Sequence, residues 1–276
     1  MKPGFYQGIS AADYDRIPAL RSSTLKLLDT HTPAHVKYNL EHGGKSSAAM
    51  QLGTAAHLAI LEPDQFDEVV KLSPFSEYRS AEAKAWVAKT EADGHIPLKK
   101  AAYESIMAMR DGVYANPFCK GLLQGEGQNE ITLVWEESEI LCKCRFDRVT
   151  EWNGEVTMVD VKTVGGGPGG AANLRASRIV RAAETYGWHL QQVWYSRGMD
   201  ALFGAQHRPF LFVCVEKDMP HFTAPVMWDF QSLERTKVRV GQLLSQYRNC
   251  TVSNAWPAYT GVQEMELSKW ALPEVE

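Results

Sequence analysis

The 276-residue sequence contains no apolar run long enough to cross a membrane, and its first residues lack the apolar segment of a secretory signal. Its five cysteines include no C-x-x-C pair, so we expect reduced thiols rather than a disulfide framework. These absences predict a cytoplasmic protein with no membrane segment.

The sequence also lacks an excess of basic charge, because its net charge is −4, so any contact with nucleic acid must come from a local basic patch. A phosphate-binding loop is missing as well: Gly43-Gly44-Lys45-Ser46 ends like one, but Asn39 stands where the first glycine is required. With 45% hydrophobic residues, no internal repeat and no long linker, residues 1–276 are expected to form a single domain.

Residues 140–163 carry the strongest structural pattern in the chain. Two strand-like runs, residues 140–149 and 155–162, flank Asn153-Gly154, the pair typical of a two-residue type I′ hairpin turn. With those two residues as the loop, the register of the hairpin places Asp147 opposite Asp160.

The same register places Arg145 opposite Lys162, so two acids and two bases are expected to share one patch of the sheet. Facing carboxylates destabilise a sheet unless a proton, a basic partner or a cation lies between them. Oxygen ligands favour Mg²⁺ or Mn²⁺, and Lys162 beside such an ion would orient a water nucleophile or stabilise charge on a phosphate. The alternative is a solvated face on which the four side chains form only salt bridges.

Several segments resemble one nuclease family. Phe146-Asp147-Arg148 followed by Val159-Asp160-Val161-Lys162-Thr163 resembles the Asp...(Asp/Glu)-x-Lys core of the PD-(D/E)xK nuclease superfamily. The exonuclease VIII (RecE-like) branch is indicated by three further segments: Arg21-Ser22-Ser23-Thr24-Leu25 followed by Thr32-Pro33-Ala34-His35, Leu52-Gly53-Thr54-Ala55-Ala56-His57 followed by Leu61-Glu62-Pro63, and the aromatic tail from Trp256 to Trp270.

The resemblance implies a set of site residues. The metal ligands would hold one or two Mg²⁺ or Mn²⁺ ions and would be His57, Asp147, Asp160 and the backbone carbonyl of Val161. Lys162 would position the attacking water, and Glu130 matches a glutamate that superfamily members often place on the preceding strand. The Gln-x-x-x-Tyr motif, which in this family supports the active site or the DNA, is matched by Gln191 and Tyr195. The glycine of the Gly-Thr-x-x-His helix, Gly53, is expected to allow a close backbone approach.

A stretch whose charged residues are all basic follows the hairpin. Gly165-Gly166-Gly167-Pro168-Gly169-Gly170 predicts a mobile loop, and between Val161 and Ala183 there are basic residues but no acid. On a helix beginning near Ala171, three of the basic residues recur every third position and form a stripe suited to phosphate contacts: Arg175, Arg178 and Arg181.

The expected fold is α/β, with a restriction-endonuclease-like core. A central mixed β-sheet contains residues 130–135, 140–149, 155–162 and 210–215, with helices on both faces, and an N-terminal helical part brings His57 to the metal.

The resemblance implies a Mg²⁺-dependent exodeoxyribonuclease that digests linear double-stranded DNA from 5′ to 3′ and leaves 3′ single strands for phage-type recombination. It further implies a ring-shaped homo-oligomer and a single-strand annealing (RecT-like) partner. Two alternatives remain open: a RecB-like or CRISPR-associated single-strand nuclease, and a non-catalytic DNA-binding module with a degenerate site.

Overall fold

The structure of the chain is a computed structural model that describes residues 1–43, 48–166, 172–262 and 264–267. The strands are β1 (Gly4–Tyr6), β2 (Val70–Leu72), β3 (Ile96–Leu98), β4 (Gly127–Glu137), β5 (Ile140–Trp152), β6 (Glu155–Val164), β7 (Phe210–Glu216) and β8 (Thr223–Val226). The helices are α1 (Ala11–Arg16), α2 (Ser22–Thr30), α3 (Pro33–His42), α4 (Ala48–Leu61), α5 (Pro63–Val69), α6 (Ala81–Ala92), α7 (Lys100–Ala115), α8 (Pro117–Gln124), α9 (Ala176–Tyr186), α10 (Trp188–Phe203) and α11 (Phe230–Ser253).

Six strands form one sheet in the order β1-β4-β5-β6-β7-β8. The β6–β7 pair is parallel and the other neighbours are antiparallel, so the sheet is mixed as predicted. All four predicted strands lie in it, each extended by a few residues at one or both ends. A separate two-stranded sheet joins β2 to β3. The predicted α/β fold is confirmed.

Helices cover both faces of the sheet, because alternate residues of its central strands supply two separate cores. On one face, Trp135 and Phe212 pack with Trp194 of α10 and Leu243 of α11. On the other face, the central strands pack against α4, α7 and α8 through Val159, Val213, Ile60, Ile106 and Leu122. Strand β6 is therefore buried on both sides, which is the environment that makes its charged residues costly unless they have partners.

One boundary prediction differs from the structure. Helix α9 begins at Ala176 rather than near Ala171. Ala171 and Gly167-Pro168-Gly169-Gly170 of the glycine-rich segment lie outside the described residues.

Candidate active site

The hairpin forms with the predicted register. Asn153 and Gly154 both have positive φ, 54° and 77°, as a type I′ turn requires, and Trp152 faces Glu155. The β5–β6 ladder ends at the pair Arg148 and Val159, one step before the two aspartates. Past that end, the Asp147 side chain crosses to β6, and its Oδ2 accepts the N–H of Val161 at 2.7 Å.

The β4–β5 ladder opens at the same place. Asn129 pairs with Arg148 and Ile131 pairs with Phe146, which leaves Glu130 facing Asp147 without a ladder pair. Glu130 has a φ of 53°, a left-handed backbone that costs a residue other than glycine roughly 1–2 kcal/mol. Both ladders are therefore interrupted at Asp147, and the interruption turns the Glu130 and Asp147 carboxylates toward one site.

Helix α4 brings His57 to this gap, as predicted. The Nδ1 atom of His57 lies 3.3 Å from Oδ2 of Asp147. The expected close approach at Gly53 is wrong for the part of the chain that the structure describes, because a Cβ atom there would meet nothing within 4 Å.

Asp160, Lys162 and Gln191 form a connected group on the other side of the gap. The Lys162 Nζ pairs with Oδ1 of Asp160 and donates a hydrogen bond to Oε1 of Gln191 at 2.9 Å. Gln191 Nε2 in turn donates to Oδ2 of Asp160. Because Asp160 is only 2% exposed, burial raises its pKa to about 6, with a further contribution from the charge of Asp147.

Arg145 does not join this group. The predicted patch of two acids and two bases is therefore wrong about Arg145. The β5–β6 ladder has already ended, and Arg145 pairs instead with Thr132 of β4. Its guanidinium donates to Thr132 Oγ1 at 3.1 Å and to the carbonyl of Ile9 at 2.7 Å, and it lies 3.6 Å from Glu130. Arg145 therefore links the N-terminal segment to the site glutamate.

The site carries more acid than base. Burial and the charge of Asp147 raise the pKa of Glu130 to about 8, and Glu62 adds to the effect. Burial also raises the pKa of Glu62 itself. Sequence reasoning used Glu62 only as part of the Leu-Glu-Pro end of α4, and its position directly after the His57 helix was the signal that could have placed it in the site.

These groups suit a hard divalent cation. Oδ1 of Asp160 is buried beside the Lys162 ammonium and has no hydrogen-bond partner among the described residues. The N–H of Val161 points to the β5 side, and a strand residue directs its N–H and C=O to the same edge, so its carbonyl also faces the gap. Among the described residues, no three His, Cys, Asp or Glu side chains already form a metal-binding group. Hydrogen bonds and an ion pair within the chain hold the carboxylates of Asp147 and Asp160 instead.

Removing one acid from this cluster should stabilise the metal-free protein. The folded-state pKa of Glu130, about 8, exceeds the usual 4.5, so its ionisation opposes folding increasingly as the pH rises through this range. We expect Glu130→Gln to raise the free energy of unfolding in EDTA at pH 8.5 by about 1–2 kcal/mol, and by much less at pH 5. Urea unfolding with and without Mn²⁺ checks this, because added Mn²⁺ should stabilise the wild type more than the variant.

Glu136→Gln is the matched control, since Glu136 is exposed on the same strand. Its effect should stay within about 0.5 kcal/mol at both pH values. Equal responses of the two variants to pH and Mn²⁺ would show that Glu130 does not belong to a charged metal site.

Tyr195 lies behind the site rather than in it. It is 8% exposed, and its ring packs edge-on against Phe146 with 5.0 Å between ring centres. Because Phe146 precedes Asp147, this packing supports the strand at the point where both ladders open.

A cleft of about 800 Å³ leads away from Lys162, His57 and Gln191. Among the described residues its lining contains no Asp or Glu, and four further cations line it: Lys26, Arg178, Arg181 and Lys217. None of the four forms an ion pair with a carboxylate in the part of the chain that the structure describes. A cluster of uncompensated cations attracts an anionic ligand.

Two of the three arginines predicted to form a stripe reach the cleft, namely Arg178 and Arg181. Arg175 is the exposed N-cap of α9 and is not part of the lining. Lys26 of α2 and Lys217 were missed, because their distance along the chain from α9 hides their proximity. No pattern within either segment marks them as members of the cleft.

Comparisons with known proteins agree with this geometry. A family model described as a PDDEXK-like domain of unknown function (DUF3799) matches residues 21–268. A crystal structure of a protein from Eubacterium rectale, provisionally named an exonuclease, aligns with a TM-score of 0.63 and 13% identity, covering 95% of this chain and 97% of that chain. At that identity the likeness shows the fold. A protein from Vibrio cholerae aligns at 10% identity over 82% of this chain and 56% of its own, with a TM-score of 0.24, which is too low to indicate a shared fold.

No curated protein matches the chain significantly. None of the described helices is long and apolar enough to span a membrane. Nucleases of the PD-(D/E)xK type typically use divalent metals, which agrees with the donor set described above. The fold, the site and the match over residues 21–268 support a nuclease, and the chain belongs to the PDDEXK-like family.

Proposed function

We propose that the protein is a metal-dependent exonuclease that digests linear double-stranded DNA. The observation that carries this proposal is that Lys162 belongs to two features at once. It pairs with the buried carboxylate of Asp160, and it lines a cleft in which the other charged groups of the described residues are all cationic or imidazole. A phosphodiester in the cleft would therefore lie directly beside the acidic group.

The chain's own residues divide the chemistry between them. His57, Asp147, Asp160 and the Val161 carbonyl would hold Mg²⁺ or Mn²⁺. When bound, such an ion supplies a Lewis acid for the scissile phosphate and lowers the pKa of coordinated water.

Two hydrogen bonds then set where the lysine acts. Gln191 fixes the Lys162 ammonium through its Oε1, and fixes Asp160 through its Nε2. The ammonium is thereby held at the wall of the cleft, where it can orient the attacking water and stabilise charge on the phosphate.

The finer features of the proposal rest on the resemblance to RecE-like exonucleases. These are digestion from the 5′ end, a ring-shaped homo-oligomer, and cooperation with a single-strand annealing partner in phage-type recombination. The absence of acids from the described lining of the cleft agrees with a DNA substrate.

Digestion of end-labelled linear duplex DNA tests the proposal, with a covalently closed circle as the matched substrate. With Mg²⁺ or Mn²⁺ we expect loss of the linear DNA from its 5′ ends and survival of the circle. EDTA should abolish the reaction. Asp160→Asn should slow it on the order of 1000-fold, because this change removes a negative charge from the centre of the site.

Other outcomes would separate the alternatives. Cleavage of single strands while the linear duplex survives would support a single-strand nuclease of the same superfamily. Cleavage of the circle would show an endonuclease. A protein that binds DNA and cuts no substrate with either metal would be a non-catalytic DNA-binding module.

A further inference from the structure

One exposed aromatic side chain stands in the cationic cleft. Tyr186 ends helix α9, lines the cleft and is 60% exposed. Exposing a large ring to water in this way forgoes the free energy of burying it. The neighbouring Trp188, in contrast, is 5% exposed and packs on Phe212 in the core.

The two rings connect the catalytic lysine to a second lysine. Lys162 Nζ lies 5.9 Å from the centre of the Trp188 ring, and the Tyr186 ring lies nearly parallel to Trp188, at 18° and 6.4 Å between centres. Lys26 Nζ lies 5.2 Å from the Tyr186 ring centre. Each of the two aromatic rings therefore has an ammonium group beside it.

The turn between α9 and α10 fixes this arrangement. Gly187 has a φ of 68°, a conformation that glycine adopts without strain, and it ends α9 directly before Trp188 starts α10. A Cβ atom at Gly187 would lie 3.1 Å from the Lys26 side chain. The glycine therefore allows Tyr186, Trp188 and Lys26 to lie side by side.

We propose that Tyr186 is a stacking platform for an unpaired base, and that the strand to be cut enters the cleft single-stranded. This inference rests on the proposed nuclease function and names the form of substrate that the site accepts. A flat exposed ring beside unpaired cations is the combination by which proteins bind single strands: the ring takes the base, and the cations take the phosphates.

A base inside a duplex cannot occupy this platform, since its two faces are covered by its neighbours in the stack. A base in a single strand offers a free face, and at a duplex only the outer face of the terminal pair is free. Lys26 and Arg181 line the same cleft and supply charge for the phosphates on either side of such a base. The catalytic lysine then meets the backbone of a strand that has already left the duplex.

Binding without metal tests this inference separately from cleavage. The probe is a short single-stranded oligonucleotide with one fluorescent base analogue whose emission falls on stacking, titrated with the full chain in EDTA. We expect Tyr186→Ala to weaken binding roughly 5- to 150-fold and to abolish the fluorescence decrease. Tyr186→Phe keeps the ring and should bind as the wild type does.

Tyr38→Ala is the matched control. Tyr38 is 65% exposed on α3, is stacked on His42 at 4.2 Å, and lies outside the lining of the cleft. Its replacement should leave both affinity and fluorescence unchanged. A relaxed, covalently closed duplex circle has no terminal base pair and should show a much smaller difference between the wild type and Tyr186→Ala than the single strand does.

The two proposals can fail independently. If Tyr186→Ala binds the single strand as tightly as the wild type, the platform is excluded, whether or not the protein cuts DNA. If Tyr186 is needed for stacking but no substrate is cut with Mg²⁺ or Mn²⁺, the nuclease function fails and the binding site stands. An equal loss for Tyr38→Ala would show a general effect of removing a surface ring and would also overturn the inference.

Discussion

Replacement of Lys162 by methionine is expected to slow metal-dependent DNA cleavage on the order of 1000-fold. Methionine keeps much of the unbranched chain that lies near Trp188 and Phe212, but it removes the ammonium that faces the cleft. The lost rate reflects charge that is no longer stabilised, and water that is no longer oriented, at the phosphate. The initial rate of digestion of linear duplex DNA at saturating Mn²⁺ measures it.

The same replacement has an effect on stability that separates catalysis from folding. Without Lys162, the buried Asp160 keeps only its hydrogen bond from Gln191, and an unpaired buried carboxylate is costly. The Lys162→Met protein should therefore unfold at lower urea concentration in EDTA, and Mn²⁺ should restore much of the loss because the cation then compensates Asp160.

Lys120→Met is the control for removal of one lysine, since Lys120 is exposed on α8 and away from the cleft. It should cut DNA at the wild-type rate. A Lys162→Met protein that retains cleavage within about tenfold of the wild type would exclude Lys162 from the reaction. A variant that stays unfolded at saturating Mn²⁺ would give no cleavage rate, and Lys162→Gln, whose neutral amide can still donate a hydrogen bond to Asp160, then decides by the same comparison.

The hairpin could be predicted from sequence because its turn is a local feature. Asn153 and Gly154 accept positive φ, which fixes the turn type and with it the register of the strands. The point where the register ends is not local. It depends on Asp147 turning to the Val161 N–H and on the gap opposite Glu130, and both are consequences of three strands meeting.

The position of Arg145 could not be predicted from the sequence for a related reason. The period of two along a strand predicts which face a side chain occupies only while the ladder remains regular. Phe146 packs in the core beside α10, and Arg148 donates to the carbonyl of Leu122 at the opposite face, yet Val149 again packs beside α10. The alternation is therefore broken near Asp147, and Arg145 faces β4 and the N-terminal segment rather than Lys162.

The cleft was only partly predictable because its cations come from distant parts of the chain. The stretch without acids around α9 was visible in the sequence, and two of its arginines, Arg178 and Arg181, line the cleft. Lys26 and Lys217 enter through packing of α2 and the end of β7 around α9 and α10. A stretch whose charged residues are all basic indicates a candidate binding surface, but only the fold decides which of these residues lie on the same surface.

Arg178 and Arg181 give the second large effect, on affinity rather than rate. We expect the double variant Arg178→Ala, Arg181→Ala to bind a short single strand on the order of 10- to 100-fold more weakly in EDTA at low salt. Each lost phosphate contact should also reduce the slope of log affinity against log salt by about 0.7 for a single strand. Fluorescence anisotropy at several salt concentrations measures both quantities.

Arg175→Ala turns this experiment into a choice between two explanations. A stripe of arginines at every third position predicts equal losses from Arg175, Arg178 and Arg181, because it treats them as one solvated surface. The cleft predicts a loss from the two that line it and little change from Arg175, the exposed N-cap of α9. Equal losses from all three would show that DNA follows the outer face of α9 instead. The phosphates would then pass Lys26 and Lys162 at a distance, and the single-stranded path beside Tyr186 would lose its support.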